Sequence, residues 1–365
     1  MDSLRAPGVA FVADHYTAGD FARGDRVLAT RDALARSLVL PRFAWHEPLF
    51  RSMRAMKDGD FAACDLAVAE AEGFAAHDPN CRRASAVHRA WLYAASDRVE
   101  ALRAHEPVVL DAIRTMHGVL AAVIRAFVRS RSGEMTEARR EVDALDPEVA
   151  HGRAPAILSL LAEVVVEVGP ESMQRDVYKW LSPHAASYAT FGPFGLVIGP
   201  PIAAVLGHLS AAFGEPERAR AHFESALAIT TASGARAGRA WTRYWFGRAL
   251  AGVGDRDATA TLDEAIREAT QLGMLNLVAR CRDVAAGPST RRPPAGWVPR
   301  VPLAWSMTEQ AGAWRVERAG KVSLVPGLRG MAMLARLAAS PHVEVHSIEL
   351  VSGAAGPELY AGDAG

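Results

Sequence analysis

Residues 201–233 read PIAAVLGHLSAAF (201–213), GEPE (214–217), RARAHFESALAITTAS (218–233). The first segment is an apolar helix with small Gly207 and Ala211 on it. The third is amphipathic: Ala219, Phe223, Ala226 and Leu227 recur at i, i+4, i+7 and i+8, with Arg218, Arg220 and Glu224 between them. The four residues between them have turn chemistry. Gly214 can take the left-handed conformation that ends a helix, Glu215 can cap the next one, and Pro216 suits a first helical turn that needs no N–H. The stretch is a helical hairpin. The next 40 residues repeat its grammar, with Gly247 in the place of Gly207 and a second turn at Gly254-Asp255.

Working outward, the same punctuation recurs at Gly19-Asp20, Gly59-Asp60, Ser96-Asp97, Gly133-Glu134, Gly169-Pro170, Gly214-Glu215 and Gly254-Asp255. The spacings are 40, 37, 37, 36, 45 and 40 residues. Ala-rich helical sequence fills the gaps. This period predicts an all-α solenoid of about seven helical hairpins, of the tetratricopeptide (TPR) kind, over residues 1–286. One stretch breaks the pattern. SPHAASYATFGPFGLVIGPP (182–201) carries four prolines and three glycines and reads as an ordered loop, either lining the concave face of the array or packed across a helix pair. After Gly287 the periodicity ends: 287–304 is a Pro-rich linker. Within 305–352, Trp314, Val316 and Arg318 alternate with Arg315 and Glu317, then a turn at Ala319-Gly320 precedes Lys321–Leu324. That is a β-hairpin signal, followed by a short amphipathic helix, so this segment reads as a small α+β, winged-helix-like module. Residues 353–365 read as a flexible tail.

Composition narrows the function classes. The 365 residues carry 41 basic and 41 acidic side chains, which argues against a strongly electrostatic nucleic-acid or membrane binder. No apolar run approaches the roughly 18–20 residues of a transmembrane helix. The N-terminal stretch does not read as a signal peptide, and three scattered cysteines form no disulfide framework, so a reducing cytoplasm is expected. Only three of the basic residues are lysine, which with the abundant alanine suggests a GC-rich bacterial genome.

The run from about Asp20 to Met274 resembles the tetratricopeptide region of large bacterial signalling ATPases, multidomain regulators in which a nucleotidyl cyclase or winged-helix output module precedes a P-loop NTPase and then such repeats. The resemblance is carried by LPRFAWHEPLFRSMRAMKDGDFAACDLAVAEAE (40–72), FGPFGLVIGPPIAAVLGHLSAAFGEPERARAHFESALAI (191–229) and ATLDEAIREATQLGM (260–274). The tail, through Ala313–Val316, Gly327–Arg329, Leu334–Leu337 and Glu344–His346, looks like a small module that follows those repeats; Pro326 stands where that family usually has Lys. The resemblance implies the sensor end of a transcriptional or signalling regulator without its NTPase, standing alone or as a fragment. The residues agree: a P-loop requires G-x-x-x-x-G-K-[ST], and the only lysine preceded by Gly, Lys321, is followed by Val322.

Few constellations point to chemistry, and no enzyme, cofactor or metal is expected. His342, Glu344 and His346 would share one face of a strand, as a metal site or as a solvated edge. Cys64 falls on an apolar stripe and reads as a small buried hydrophobe. The arginines of 82–89 and 125–140 interleave with Glu134, Glu137 and Glu141, as on a salt-bridged surface or a face for an acidic partner. The densest aromatic cluster is Trp241, Tyr244, Trp245 and Phe246, with Arg243 among them. It reads either as a partner or ligand clamp on the concave face or as packing between adjacent helix pairs. The candidate groove residues are therefore Trp241, Arg243, Tyr244 and Trp245, with His184, Tyr188 and Phe194 from the Gly/Pro stretch. The expected function is a non-catalytic scaffold or sensor that binds a protein partner in bacterial regulation or signalling. The alternatives are a DNA-linked regulator using 305–350 and a small-molecule sensor or enzyme using the groove.

Overall fold

The computed structural model describes residues 13–37, 44–76, 78–116, 118–146, 148–191, 197–287, 305–310, 313–318, 321–326, 331–332 and 334–335. The expected strand or helix at 342–350, its His342–His346 string, the linker from 288 and the tail lie outside these residues, as does Phe194. The chain divides into two compact units, 1–289 and 290–365.

The first unit is helical. Its elements are α1 (Phe21–Ser37), α2 (His46–Asp58), α3 (Phe61–Glu72), α4 (Pro79–Ala95), α5 (Val99–Ile113), α6 (Val119–Arg131), α7 (Met135–Asp143), α8 (Pro155–Val168), α9 (Glu171–Leu181), strands β1 (Tyr188–Phe191) and β2 (Val197–Pro201), then α10 (Ile202–Ala212), α11 (Pro216–Ala232), α12 (Arg236–Gly252), α13 (Ala258–Gln271) and α14 (Leu275–Ala285). Consecutive helices pair: α2 with α3, α4 with α5, and so on to α12 with α13. The first helix of each pair also packs on the first helix of the next.

The turns show why these residues make hairpins. Gly19, Gly59, Gly133, Gly214 and Gly254 all have positive φ, and Asp97 takes the same left-handed conformation at φ 55°. Gly169 differs, with φ −86° and ψ 162°: its neighbour Pro170 forces extended backbone on the residue before it. Capping follows side-chain length. Asp60 accepts from Ala63 N at 3.0 Å and Asp20 from Arg23 N at 3.1 Å, whereas Glu215, expected to do the same, makes no side-chain cap, and neither does Glu134.

Helix pairing depends on close approach. A Cβ on Gly207 would stand 2.8 Å from the Phe223 ring, and one on Gly247 would stand 2.6 Å from Leu262. The two hairpins thus share one contact at matching positions. A large apolar core runs through the unit from Met56 to Cys281. A smaller one gathers Tyr16, Phe21, Trp45, Phe50 and Met53 with Tyr188 and Ile198.

The stretch read as a loop contains a short antiparallel ribbon instead. β1 pairs with β2 through Thr190↔Ile198 and Phe191↔Val197, with an irregularity next to Tyr188. Pro200 and Pro201 sit at its end, where ladder donors are not needed. This ribbon lies among the helices. Trp91 Nε1 donates to Ile198 O at 3.1 Å, and Phe191 packs on the Trp91 ring.

Helices far apart in sequence also meet. α2 packs on α12, Lys57 Nζ donates to Ser233 O at 3.1 Å, and Arg280 Nε and Asn276 Nδ2 reach Asp97 at 2.9 and 2.7 Å.

The second unit holds a three-stranded antiparallel sheet, β3 (Trp305–Gln310), β4 (Ala313–Arg318) and β5 (Lys321–Pro326), in that order. Arg318 faces Lys321 across the turn expected at 319–320. β3 lies within the stretch whose alternation suggested a single hairpin. The short helix expected after the sheet is described only at 331–332 and 334–335.

Candidate functional site

α12 presents most of the expected site, and it presents it inward. Trp241, Tyr244 and Trp245 are 5, 7 and 4% exposed. Trp241 Nε1 donates to Ala95 O at 2.8 Å, and its ring lies 5.8 Å from that of Trp245 and 5.9 Å from that of Tyr244. Tyr188, on β1, is fully buried and shares a 2.6 Å hydrogen bond with Ser233 Oγ; burial pushes its phenol up to about 12. His184 ends the short 3-10 turn after α9 and is exposed. Arg243 pairs with Glu264 at 3.0 Å and with Glu268 at 2.5 Å; Arg239 grips the same Glu268 at 2.6 Å.

The structure therefore brings Trp241, Trp245 and Tyr188 to one cavity, sets Tyr244 edge-on against Trp241 just outside it, and leaves Arg243 and His184 out. On the side of α12 that carries Trp241, the groove expected around the aromatic cluster is closed, because the ribbon and α2 pack there. What remains is a cavity of about 50 Å³, bordered by Trp91, Phe127, Tyr188, Trp241 and Trp245 with Lys57, Arg131 and Glu163. That volume suits a few water molecules, well short of the several hundred Å³ of an organic-ligand pocket.

Electrostatics in this interior are structural. Arg131 Nη2 meets Glu163 Oε2 at 2.6 Å, and its guanidinium lies 4.2 Å from the Trp241 ring centroid. Burial raises the Glu163 carboxyl above its ordinary range, and the Arg131 charge and hydrogen bond oppose the shift. Removing either partner of such a buried pair would leave the other charge without compensation, which is costly. The expected salt-bridged arginine surface is present: Arg89 pairs with Glu72 at 2.6 Å, and Arg125 and Arg129 pair with Glu141 at 2.9 and 2.6 Å. The thiols are poor nucleophiles. Burial pushes Cys64 and Cys281 up to about 12 and raises Cys81. Among the described residues, no three His, Cys, Asp or Glu side chains gather as a metal site would require.

Sequence reasoning missed a second cavity that Trp245 also borders. This cleft measures about 560 Å³ and is lined by Val166, Gln174, His208, Arg220, Phe246, Arg248 and the residues around Gly214 and Val253. The signal was present: His208 is the only titratable residue of α10, IAAVLGHLSAA. Its ring stacks on Trp245 at 5.1 Å, tilted by 17°.

No family model matches the chain, and neither curated proteins nor solved structures give a match. Among the described residues no helix is long and apolar enough to cross a membrane.

Proposed function

We propose that the helical unit is a tetratricopeptide-like repeat array and that it serves as a non-catalytic scaffold in bacterial cytoplasmic regulation, engaging a protein partner through its outward helix faces. The observation that carries this reading is the recurrence of one packing solution in successive hairpins. Gly207 against Phe223 and Gly247 against Leu262 repeat the same contact, and each leading helix packs on the next leading helix. Repeats of this kind present extended, preformed surfaces. The ionisable side chains support the same reading, since Arg131–Glu163, Arg239–Glu268 and Arg280–Asp97 are spent on holding helices together. The filled inner face moves the partner surface outward, where Leu66 and Leu275 are 75 and 73% exposed.

The test is a photo-cross-linking amino acid placed at Leu66 or Leu275 in cells of the native host. A discrete covalent adduct with one protein, from at least one of the two positions, is the expected result. The absence of any protein adduct, together with nucleic acid bound to the purified chain, would replace the scaffold with the DNA-linked alternative.

A further inference from the structure

A wide cleft lies beside α10, and the one ionisable side chain of that helix borders it. Elsewhere, buried charges find partners across helices. His208 is 7% exposed, yet among the described residues neither of its ring nitrogens has a hydrogen-bond partner. The Glu167 carboxylate comes no closer to Nε2 than 3.8 Å, beyond hydrogen-bond reach. Leaving a buried donor and acceptor unmade is costly, and few native positions tolerate it. The unmade groups belong to a residue that lines a cleft of about 560 Å³, within the range of organic-ligand sites.

We propose that this cleft binds an uncharged, largely apolar small organic molecule whose single polar edge, a hydroxyl or a primary amide, hydrogen-bonds the His208 imidazole.

The walls set the apolar part. Val166, Ala211, Ala219, Phe246 and Leu250 line the cleft, and Trp245 backs the imidazole face to face. The mouth lies at the hairpin turns, where Ala212 and Gly214 are exposed and Val253 is 57% exposed. Gln174, Arg220 and Arg248 border the cleft as well, but both arginines are already held by carboxylates, so the apolar wall and the unpaired His208 suit a ligand that is largely apolar with one polar edge.

The charge state follows from the arginines. Arg248 is held by Glu167 at 2.8 Å, and Arg220 by Asp255 at 2.7 Å with Asp257 at 3.5 Å. An anion would compete with these carboxylates, and a cation would meet two guanidinium groups. Burial, and next the Arg248 charge, depress the His208 imidazole to about 3, so the ring is neutral near pH 7. A neutral imidazole has one N–H donor and one acceptor nitrogen, and a hydroxyl or amide can answer either. The site stands on one wall of Trp245 and requires no protein partner, so it holds or fails independently of the scaffold reading.

The experiment uses the full chain with isotope-labelled histidine, titrated separately with phenol, benzamide, toluene and benzoate while the His208 ring resonance is followed. Phenol and benzamide are expected to shift that resonance saturably, with dissociation constants at least about tenfold below those of toluene and benzoate, the worth of one hydrogen bond. Ala212→Trp, which fills the exposed end of the cleft, is expected to abolish the shift. His208→Gln keeps a donor and an acceptor and should retain phenol binding by ligand line broadening; His208→Phe should lose the preference over toluene. The proposal is overturned if benzoate binds tightest, if phenol and toluene bind equally, or if the His208 resonance stays still with probe at millimolar concentration. The wild-type titration gives these outcomes even where a variant fails to fold.

Discussion

At the scale of single residues, the clearest consequence of the structure concerns His208. Its folded imidazole takes up a proton only near pH 3, because burial and then Arg248 penalise the charge, while an unfolded histidine does so near 6.5. Between those values the unfolded chain binds a proton that the native chain does not. Stability from this group is therefore fully present above pH 6.5 and is lost as the pH falls toward 3, a swing on the order of 5 kcal/mol. Glu163 has the opposite sign, since its raised carboxyl contributes stability at low pH that is lost as pH rises. His105 and His222, both depressed first by burial, add to the His208 trend. The isolating measurement is the difference in urea midpoint between wild type and His208→Gln from pH 7 to pH 4. The wild type should lose more stability on acidification than the variant; parallel curves would show that the imidazole titrates as it does in water. His208 was legible as an isolated ionisable group in an apolar helix, but its importance was not. A helical pattern says which face a residue occupies, not whether a partner atom stands opposite it. The Trp241–Phe246 cluster shows the converse. Its density was plain in the sequence, and both readings of it, clamp or packing, depended on what lies in front of α12.

At the scale of elements, the helical hairpins were largely readable because their rules are local. A glycine with positive φ, an aspartate that caps, and a small residue opposite a large one are each visible within 40 residues. Gly207 and Gly247 were expected to allow close packing, and they do so against Phe223 and Leu262. Gly207→Ala is therefore expected to destabilise by about 1–3 kcal/mol through overpacking, read as a lower urea midpoint with unchanged m-value. Adding Phe223→Leu should return part of that loss, because the two changes share one contact. A fully additive double variant would place the strain elsewhere. The ribbon of β1 and β2 was less readable. Proline and glycine correctly argued against a helix at 182–201, but two short strands that pair with each other and pack under Trp91 leave little alternation to detect. In the second unit the alternation from Trp314 was enough to find β4 and β5, whose register places Trp314 across from Val325.

At the scale of the whole helical unit, the decisive feature is that early and late helices touch. Had each hairpin contacted only its neighbours, stability would be a sum of repeat and nearest-neighbour terms, and the array could fray from either end. Here α2 packs on α12, Gly59 lies against Leu272, Trp241 reaches Ala95, and Asp97 holds both Asn276 and Arg280. Several of these contacts run from a side chain to a backbone carbonyl, and such pairings leave no pattern in sequence. Repetition was visible, but closure was not. These contacts are why the candidate clamp of Trp241, Tyr244 and Trp245 is part of the core. The most direct test of closure is a nuclear Overhauser measurement on the selectively protonated full chain. The account predicts cross-peaks between the Gly59 Hα protons and the Leu272 methyls, alongside the local control between Gly247 Hα and the Leu262 methyls. The control peak without the Gly59–Leu272 peak would show hairpins that form but do not close, and would contradict it.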